Sequence, residues 1–480
     1  FFELMYDRLT DYNRDFEVVP RLAKEWEAND DASEWTFVLR EGATFDTIDQ
    51  EVLAEDVKAT AEVMASEDRV PGASRSLGQL DQMEVLDDYR VKAVLKKPDN
   101  VYPGRLAETG SWFNIVPKNV IEGRFDELTS TDFGSGPYHL ADFQSDVEYT
   151  FEADSDWFGT DADGNQLPIV DTLKVKIIQD PVGQVNALTD QRVDALNKIQ
   201  TKNRSQAAQA SGSTVKGYST SSFLSMVMLT TLEKKNGDKP FAKPKVRKAM
   251  KHALDRQEIA AATDDTMVPG HHDPVAPVHP DYAPFDEGLE FGTTSQVEEA
   301  KKLLEEAGYG DGLDLPTPIY STDFDERRGT SVALLQQQAR EAGIRFDIQL
   351  VSADTWLSDY WNQENGWYAS GYAARMEQTT VHRLALHDEG KWNSGRWDNA
   401  QYNKHYDVFS QTTDRQKFVD NFHAAQKIMH LEGPWLIFGF TRQFAANNDY
   451  MGRYIPGPAA NRGRQNIDPW LTSEAPEGPS

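Results

Sequence analysis

Short strand-like and helix-like patterns alternate along nearly all of the 480 residues, and that alternation limits the chain to mixed α/β architectures. Thr36-Phe37-Val38-Leu39-Arg40 sets Phe37 and Leu39 on one face of a strand and runs into Gly42, where the chain must turn. Val57, Ala61 and Met64 follow at helical spacing, and Arg90-Val91-Lys92-Ala93-Val94-Leu95 is again strand-like. Residues 134–152 and Leu173-Lys174-Val175-Lys176-Ile177 read as extended, with a helix over 182–188. Helices are predicted over 245–254, over 295–307 with Ser295 as N-cap and Gly308 as stop, over 331–342 ending at Gly343, and over 415–431, with a strand over 345–350. The Pro/Gly-rich run 268–284 and the terminal 473–480 read as irregular. A chain of this length outgrows a single core, so two or three domains are expected.

Asp plus Glu number 78 against 49 Lys plus Arg, a net charge of -29 spread along the chain. Such a surface repels phosphates and anionic lipids, which excludes nucleic acid as a partner. It stays soluble where salt screens its self-repulsion, which points to a halophilic source. Thermal stability should therefore rise from dilute buffer to molar salt; a melting temperature that peaks in dilute buffer would count against this. The absence of cysteine excludes thiol nucleophiles, thiolate metal sites and disulfides. No apolar run approaches the roughly 18 residues of a transmembrane helix. Phe1-Phe2-Glu3-Leu4-Met5 already reads as folded-domain sequence, so a processed segment ahead of it is expected, one that could carry a lipid anchor.

His271, His272 and His279 share a Pro-rich loop with Asp273. Imidazoles can ligate nickel or zinc, but adjacent histidines in such a loop rarely converge on one ion, so neither a metal nor a cofactor is expected. Asp161-Ala162-Asp163-Gly164-Asn165 opens like a calcium loop, yet Thr172 stands where the closing Glu belongs, which favours a surface turn. No Gly-x-Ser-x-Gly elbow, phosphate loop or zinc-protease motif occurs, so no catalytic residue is expected.

An ordered series of short motifs covers nearly the whole chain: Tyr6-Asp7-Arg8-Leu9; Val19-Pro20-Arg21-Leu22-Ala23-Lys24-Glu25-Trp26; the stretch from Trp35 to Phe45; Ala54-Glu55-Asp56-Val57; Gly134-Ser135-Gly136-Pro137-Tyr138; Asp156-Trp157-Phe158-Gly159; Pro240-Phe241; Val246-Arg247-Lys248-Ala249; Ala253-Leu254-Asp255-Arg256; and the run from Glu299 to Tyr309. The series resembles extracellular solute-binding proteins of family 5, the dipeptide, oligopeptide and nickel type that serve ABC importers. The resemblance implies an α/β, two-lobed periplasmic-binding-protein-like fold (type II, cluster C) with an extra N-terminal sub-domain. One lobe would comprise residues 1–228 plus 435–480, with a sub-domain over about 11–130. The other would be 229–434. It also implies a non-enzymatic chain outside the cell, periplasmic where an outer membrane exists, that captures a small-molecule solute by lobe closure and delivers it to a membrane permease.

Trp356, Trp361, Trp367, Trp392 and Trp397 lie among tyrosines in one stretch, an aromatic density suited to gripping peptides or sugar rings. Ser370-Gly371-Tyr372-Ala373-Ala374-Arg375 falls where peptide-binding members of the family have Gly-Trp-x-x-Asp, the aspartate holding the ligand's α-ammonium group. Here Tyr372 stands for the Trp and Arg375 for the Asp. A guanidinium repels an ammonium and suits a carboxylate or clustered oxygens. The expected ligand-binding residues are Arg375, Tyr372, Trp367, Trp392, Asn393 and Trp397. Arg375 could instead brace the lobe by pairing with Glu377, and most of the aromatics could simply fill core. Two other functions compete: a self-assembling surface protein on the same scaffold, and a hydrolase using two cleft carboxylates.

Overall fold

In this computed structural model, all residues are described except 1, 14, 67, 71–76, 109–112, 162, 211, 284–290, 323–324, 453, 455–469 and 472–480. The terminal stretch 473–480 expected to be irregular thus lies outside the described residues.

The alternation around Phe37 becomes the strand Glu34–Leu39, with Trp35, Phe37 and Leu39 buried and the residues between them half-buried. It is an inner strand of a four-stranded antiparallel sheet ordered Ala23–Ala28, Glu34–Leu39, Arg90–Leu95, Leu80–Asp87. The helix Ala54–Ala65 contributes Val57, Ala61 and Met64 to the same core as Phe37, Phe45 and Val91. Gly42 turns the chain at φ +77°, a conformation that costs other residues a Cβ clash. A second antiparallel sheet is built from Tyr138–Gln144, Glu148–Ala153 and Thr172–Lys176.

Three of the sequence motifs meet here. The buried Asp7 carboxylate accepts the Trp157 indole N–H at 2.8 Å and lies 2.5 Å from Arg21, whose guanidinium sits over the Trp157 ring at 4.8 Å. These residues are scaffold: a buried charge is held by its partner and by the indole N–H.

By its internal contacts the chain divides into Phe1–Tyr218 with Gln443–Ser480, and Ser219–Arg442. Both divisions fall inside long strands, Ser213–Val227 and Trp435–Asn448. These strands belong to a seven-stranded sheet ordered Ala195–Ile199, Trp435–Asn448, Ser213–Val227, Tyr368–Tyr372, Ile319–Ser321, Ile348–Leu350, with Met267–Val268 also paired to Trp435–Asn448. The helices Pro244–Ala253, Val297–Glu306 and Glu326–Glu341 supply Val246, Met250, Leu303, Leu304, Val332 and Leu335 to its core.

Local readings needed three corrections. The helix expected to start from Ser295 begins at Val297 with Gln296 as its N-cap residue and no side-chain cap bond, although Gly308 ends it at φ +89°. The helix expected from 331 begins at Glu326, because Asp325 accepts the Arg327 N–H and caps it five residues earlier. The strand expected over 345–350 is split into Ile344–Arg345 and Ile348–Leu350, each in a different sheet. In the calcium-like loop, Asp161 accepts the N–H groups of Asp163 and Asn165 at 2.9 and 2.8 Å, the bonding of a polar turn.

Candidate functional site

The strand Tyr368–Tyr372 pairs antiparallel with Ser213–Val227, placing Tyr372 opposite Phe223. Gly371 permits the close approach: a Cβ there would meet the Leu224 side chain at 2.7 Å and the Phe223 carbonyl at 3.0 Å. The Tyr372 ring stacks on Phe223 at 5.4 Å and on Trp435 at 5.1 Å, with Trp392 at 6.4 Å and Trp361 beyond it at 5.8 Å from Trp392. Residues from five separate segments thus form one aromatic cluster, in which Phe223, Tyr372 and Trp435 are buried and Trp361 and Trp392 are half-buried. The Trp435 indole N–H is buried without a hydrogen-bond partner.

Arg375 follows directly. Its backbone N–H donates to the Ser221 hydroxyl oxygen at 2.9 Å, and its carbonyl accepts from that hydroxyl at 2.7 Å and from His279 Nε2 at 2.9 Å. The His279 tautomer is set by its other nitrogen, Nδ1, which accepts the Ala276 N–H at 3.0 Å. The main chain of Arg375 is therefore clamped by groups from two other segments. Its half-buried guanidinium makes no ion pair among the described residues, and its Nε is buried without a hydrogen-bond partner. Burial pushes the Tyr372 hydroxyl well above the usual tyrosine range, and the neighbouring Tyr368 adds to this, while the Arg375 charge pulls it back down, so ring and guanidinium share one environment. The Glu377 carboxylate, which could have braced Arg375, accepts the Thr379 N–H at 2.8 Å and the Thr379 and Thr380 hydroxyls at 2.9 and 2.7 Å.

The other sequence-expected residues have structural work. Trp367 is fully buried in the core of its unit between Phe241 and Phe346 and donates its indole N–H to the Thr317 carbonyl at 3.1 Å. Asn393 donates to the Trp397 carbonyl at 2.7 Å and accepts the Trp397 N–H at 3.1 Å, closing its own loop. Trp397 is buried against Tyr402 at 5.0 Å. Of the six, the structure brings together Arg375, Tyr372 and Trp392. Sequence reading missed Ser221, Phe223, His279 as a clamp, and Trp435; Phe223 and Trp435 lie in strand-like runs that announce only burial.

The loop histidines are each used separately. His272 Nδ1 accepts the Ile437 N–H at 3.1 Å, the His272 N–H donates to His430 Nδ1 at 2.9 Å, and His271 stacks on Tyr282 at 4.5 Å. His271 Nε2 also donates to the Ala283 carbonyl at 3.2 Å, so these imidazoles serve as hydrogen-bonding and stacking groups inside the unit.

The model of the bacterial extracellular solute-binding proteins, family 5, matches residues 17–385. The chain belongs to that family. Its relatives include the Heme-binding protein A of Haemophilus influenzae, 23% identical over 95% of this chain and 85% of that protein. The Dipeptide-binding protein of Escherichia coli K12 is 22% identical over 96% of this chain and 88% of that protein. The solved structure of HbpA2 from Haemophilus parasuis superposes with a TM-score of 0.81 at 19% identity, covering 98% of this chain and 94% of that one, and shares the two-lobed mixed α/β fold. Family 5 proteins are the solute-binding components of ABC importers, act outside the cytoplasm and work with membrane permeases. The relatives are transport-associated binding proteins and not enzymes. Among the described residues, no helix is long and apolar enough to cross a membrane.

Proposed function

We propose that this family 5 protein captures a small polar solute bearing a carboxylate or a dense set of acceptor oxygens, such as a peptide-like acid or a sugar derivative, and that Arg375 is its anchoring cation. The single observation that carries this reading is a guanidinium held by a clamped backbone yet paired with no acid among the described residues. An arginine prepared in this way loses little conformational freedom when its planar fork meets two oxygens. Tyr372 and Trp392, with Phe223 and Trp435 behind them, supply the apolar wall beside it. The net charge of -29 does not forbid an acidic solute. In molar salt the screening length is only about 3 Å, so distant acids are muted while direct contacts persist.

In the same reading, residues 1–228 with 435–480 form one lobe, including the sub-domain over about 11–130, and 229–434 form the other. The lobes close on the solute, and the chain delivers it to a permease from the outer face of the membrane. Native mass spectrometry of gently purified protein should reveal a retained small acid or polyol. Added back at about a hundredfold above its dissociation constant, that molecule should stabilise the protein by roughly 2.7 kcal/mol. Small-angle scattering should then show a contraction. A saturated protein with unchanged dimensions would refute closure, and a retained molecule carrying only cationic groups would refute the role given to Arg375.

A further inference from the structure

Asp46, His139 and Asp154 come from three separate stretches of the first unit. Asp46 follows the short strand Thr44–Phe45, His139 is the second residue of Tyr138–Gln144, and Asp154 directly follows Glu148–Ala153. One potential ligand atom from each lies within 4.8 Å of the other two. His139 Nε2 is 3.3 Å from Asp46 Oδ2, yet that oxygen is buried without a hydrogen-bond partner. Without an ion the groups engage one another, His139 pairing with Asp46 when protonated and Asp154 facing Asp46, so a bound cation would take the place of those contacts. For metal–ligand bonds of about 2.0–2.1 Å, the edge of a tetrahedral site is roughly 3.3 Å and a trans pair in an octahedral site is separated by about 4.2 Å. The 3.3 Å between His139 and Asp46 equals a tetrahedral edge, and Asp154, within 4.8 Å of both, would move in to complete the site.

The surroundings place a further acid near the imidazole. Behind the imidazole, the buried Asp132 carboxylate lies 3.9 Å from Nδ1 and is itself fixed by the N–H groups of Gly134 and Leu140 at 2.8 and 3.0 Å. At 3.9 Å this is a charge contact and not a hydrogen bond, and Nδ1 has no hydrogen-bond partner; the contraction that seats an ion would bring the carboxylate within reach of Nδ1, where it orients the ring. Asp46 is positioned by the Thr44 hydroxyl, and Asp154 accepts the Asp156 N–H through Oδ1, leaving Oδ2 for the centre. Asp46 and His139 keep about a quarter of their side-chain surface in solvent, so an ion has a way in.

We propose that Asp46, His139 and Asp154 form a binding site for a divalent transition ion of the zinc type, with Asp132 as the positioning residue behind the histidine. One imidazole and two carboxylates suit zinc, nickel or manganese, and three protein ligands leave room for water. The ion would tie the loop after Thr44–Phe45, next to the four-stranded sheet, to two strands of the three-stranded sheet. Its role is therefore a brace within the first unit, separate from solute capture.

Metal-stripped full-length protein should be titrated with zinc in a non-chelating buffer and followed by calorimetry and by melting temperature. One ion per chain and a raised melting temperature are expected. Asp154→Asn, which removes charge but little volume, should weaken binding by at least about tenfold, as should His139→Gln. His387→Gln is the control, because His387 lies near Asp388 and Asp407 at 3.2 and 3.7 Å and is the rival surface site; it should leave zinc binding unchanged. Absence of binding at millimolar zinc, undiminished binding in Asp154→Asn, or loss confined to His387→Gln would each overturn the proposal. If His139→Gln unfolds by circular dichroism, the Asp154→Asn result decides alone.

Discussion

Arg375→Ala is expected to weaken solute binding by at least about tenfold, because a charge-assisted hydrogen bond contributes roughly 1.5–3 kcal/mol. The melting temperature of the empty protein should barely move. Its guanidinium forms no ion pair among the described residues, while the backbone bonds that hold the segment, from Ser221 and His279, do not involve the side chain. Truncation therefore removes a ligand contact without leaving a partner acid uncompensated. Losing the buried, unpaired Nε even removes a small desolvation cost. Arg375→Lys should recover only part of the affinity, since an ammonium keeps the charge but lacks the planar pair of donors. Calorimetry of the retained solute against the three proteins checks this. Unaltered affinity in the alanine variant, or a strongly destabilised empty protein, would make Arg375 a lobe brace and remove the case for an acidic or oxygen-rich solute.

Acidification from neutral pH to about pH 4 should destabilise the second unit steeply. Burial drives the His279 imidazole down to about 4 although its bond to the Arg375 carbonyl works the other way. Burial likewise takes His271 to about 4 and His430 to about 2, with the Lys251 charge adding to the shift of His430. His272, fully buried beside Arg256 and Lys251, lies well below the usual histidine range. A histidine whose folded value is depressed stays neutral in the native state while the unfolded chain takes up a proton below about pH 6.5. Its contribution is thus fully present above pH 6.5 and is lost as pH falls towards the folded value. The loss is about 1.4 kcal/mol per pH unit for each group, or roughly 3 kcal/mol for His279 alone by pH 4. The groups that act in the opposite direction, His139, raised by its contact with Asp46, Asp154, pushed up to about 6 by burial and by Asp46, and Asp7, Asp56 and Asp132, raised by burial, all lie in the first unit. Urea unfolding followed at pH 7.5, 6 and 4.5 should show a falling midpoint; an equal or higher midpoint at pH 4.5 would contradict the assignment. Solute affinity should fall over the same range, because a doubly protonated His279 can no longer accept the Ala276 N–H and the clamp on Arg375 loosens.

Side-chain periodicity carried much of the fold. Phe37 and Leu39 on one strand face, Val57, Ala61 and Met64 on one helix face, and Leu303 with Leu304 beside polar lysines and glutamates each predict an element from a pattern contained within it. Where an element depends on its surroundings, the pattern was insufficient. Asp325 captures an N–H and starts its helix five residues ahead of the apolar periodicity, and the break between Arg345 and Ile348 reflects pairing to two different partners, Leu313 and Ile319.

The candidate site divides in the same way. From its sequence alone the chain determines its family and its α/β class, since these reside in residue identity and order. Only the tertiary structure decides which aromatics could face a ligand. Trp367 and Trp392 are equally aromatic and lie in the same stretch, yet one is sealed between Phe241 and Phe346 and the other stacks at the margin of Tyr372. The clamp of Ser221 and His279 on Arg375 joins positions 154 and 96 residues apart, and Asp46 meets His139 and Asp154 from a distant part of the chain. No local pattern encodes such encounters, because their specificity comes from strand register and from which groups share a buried volume.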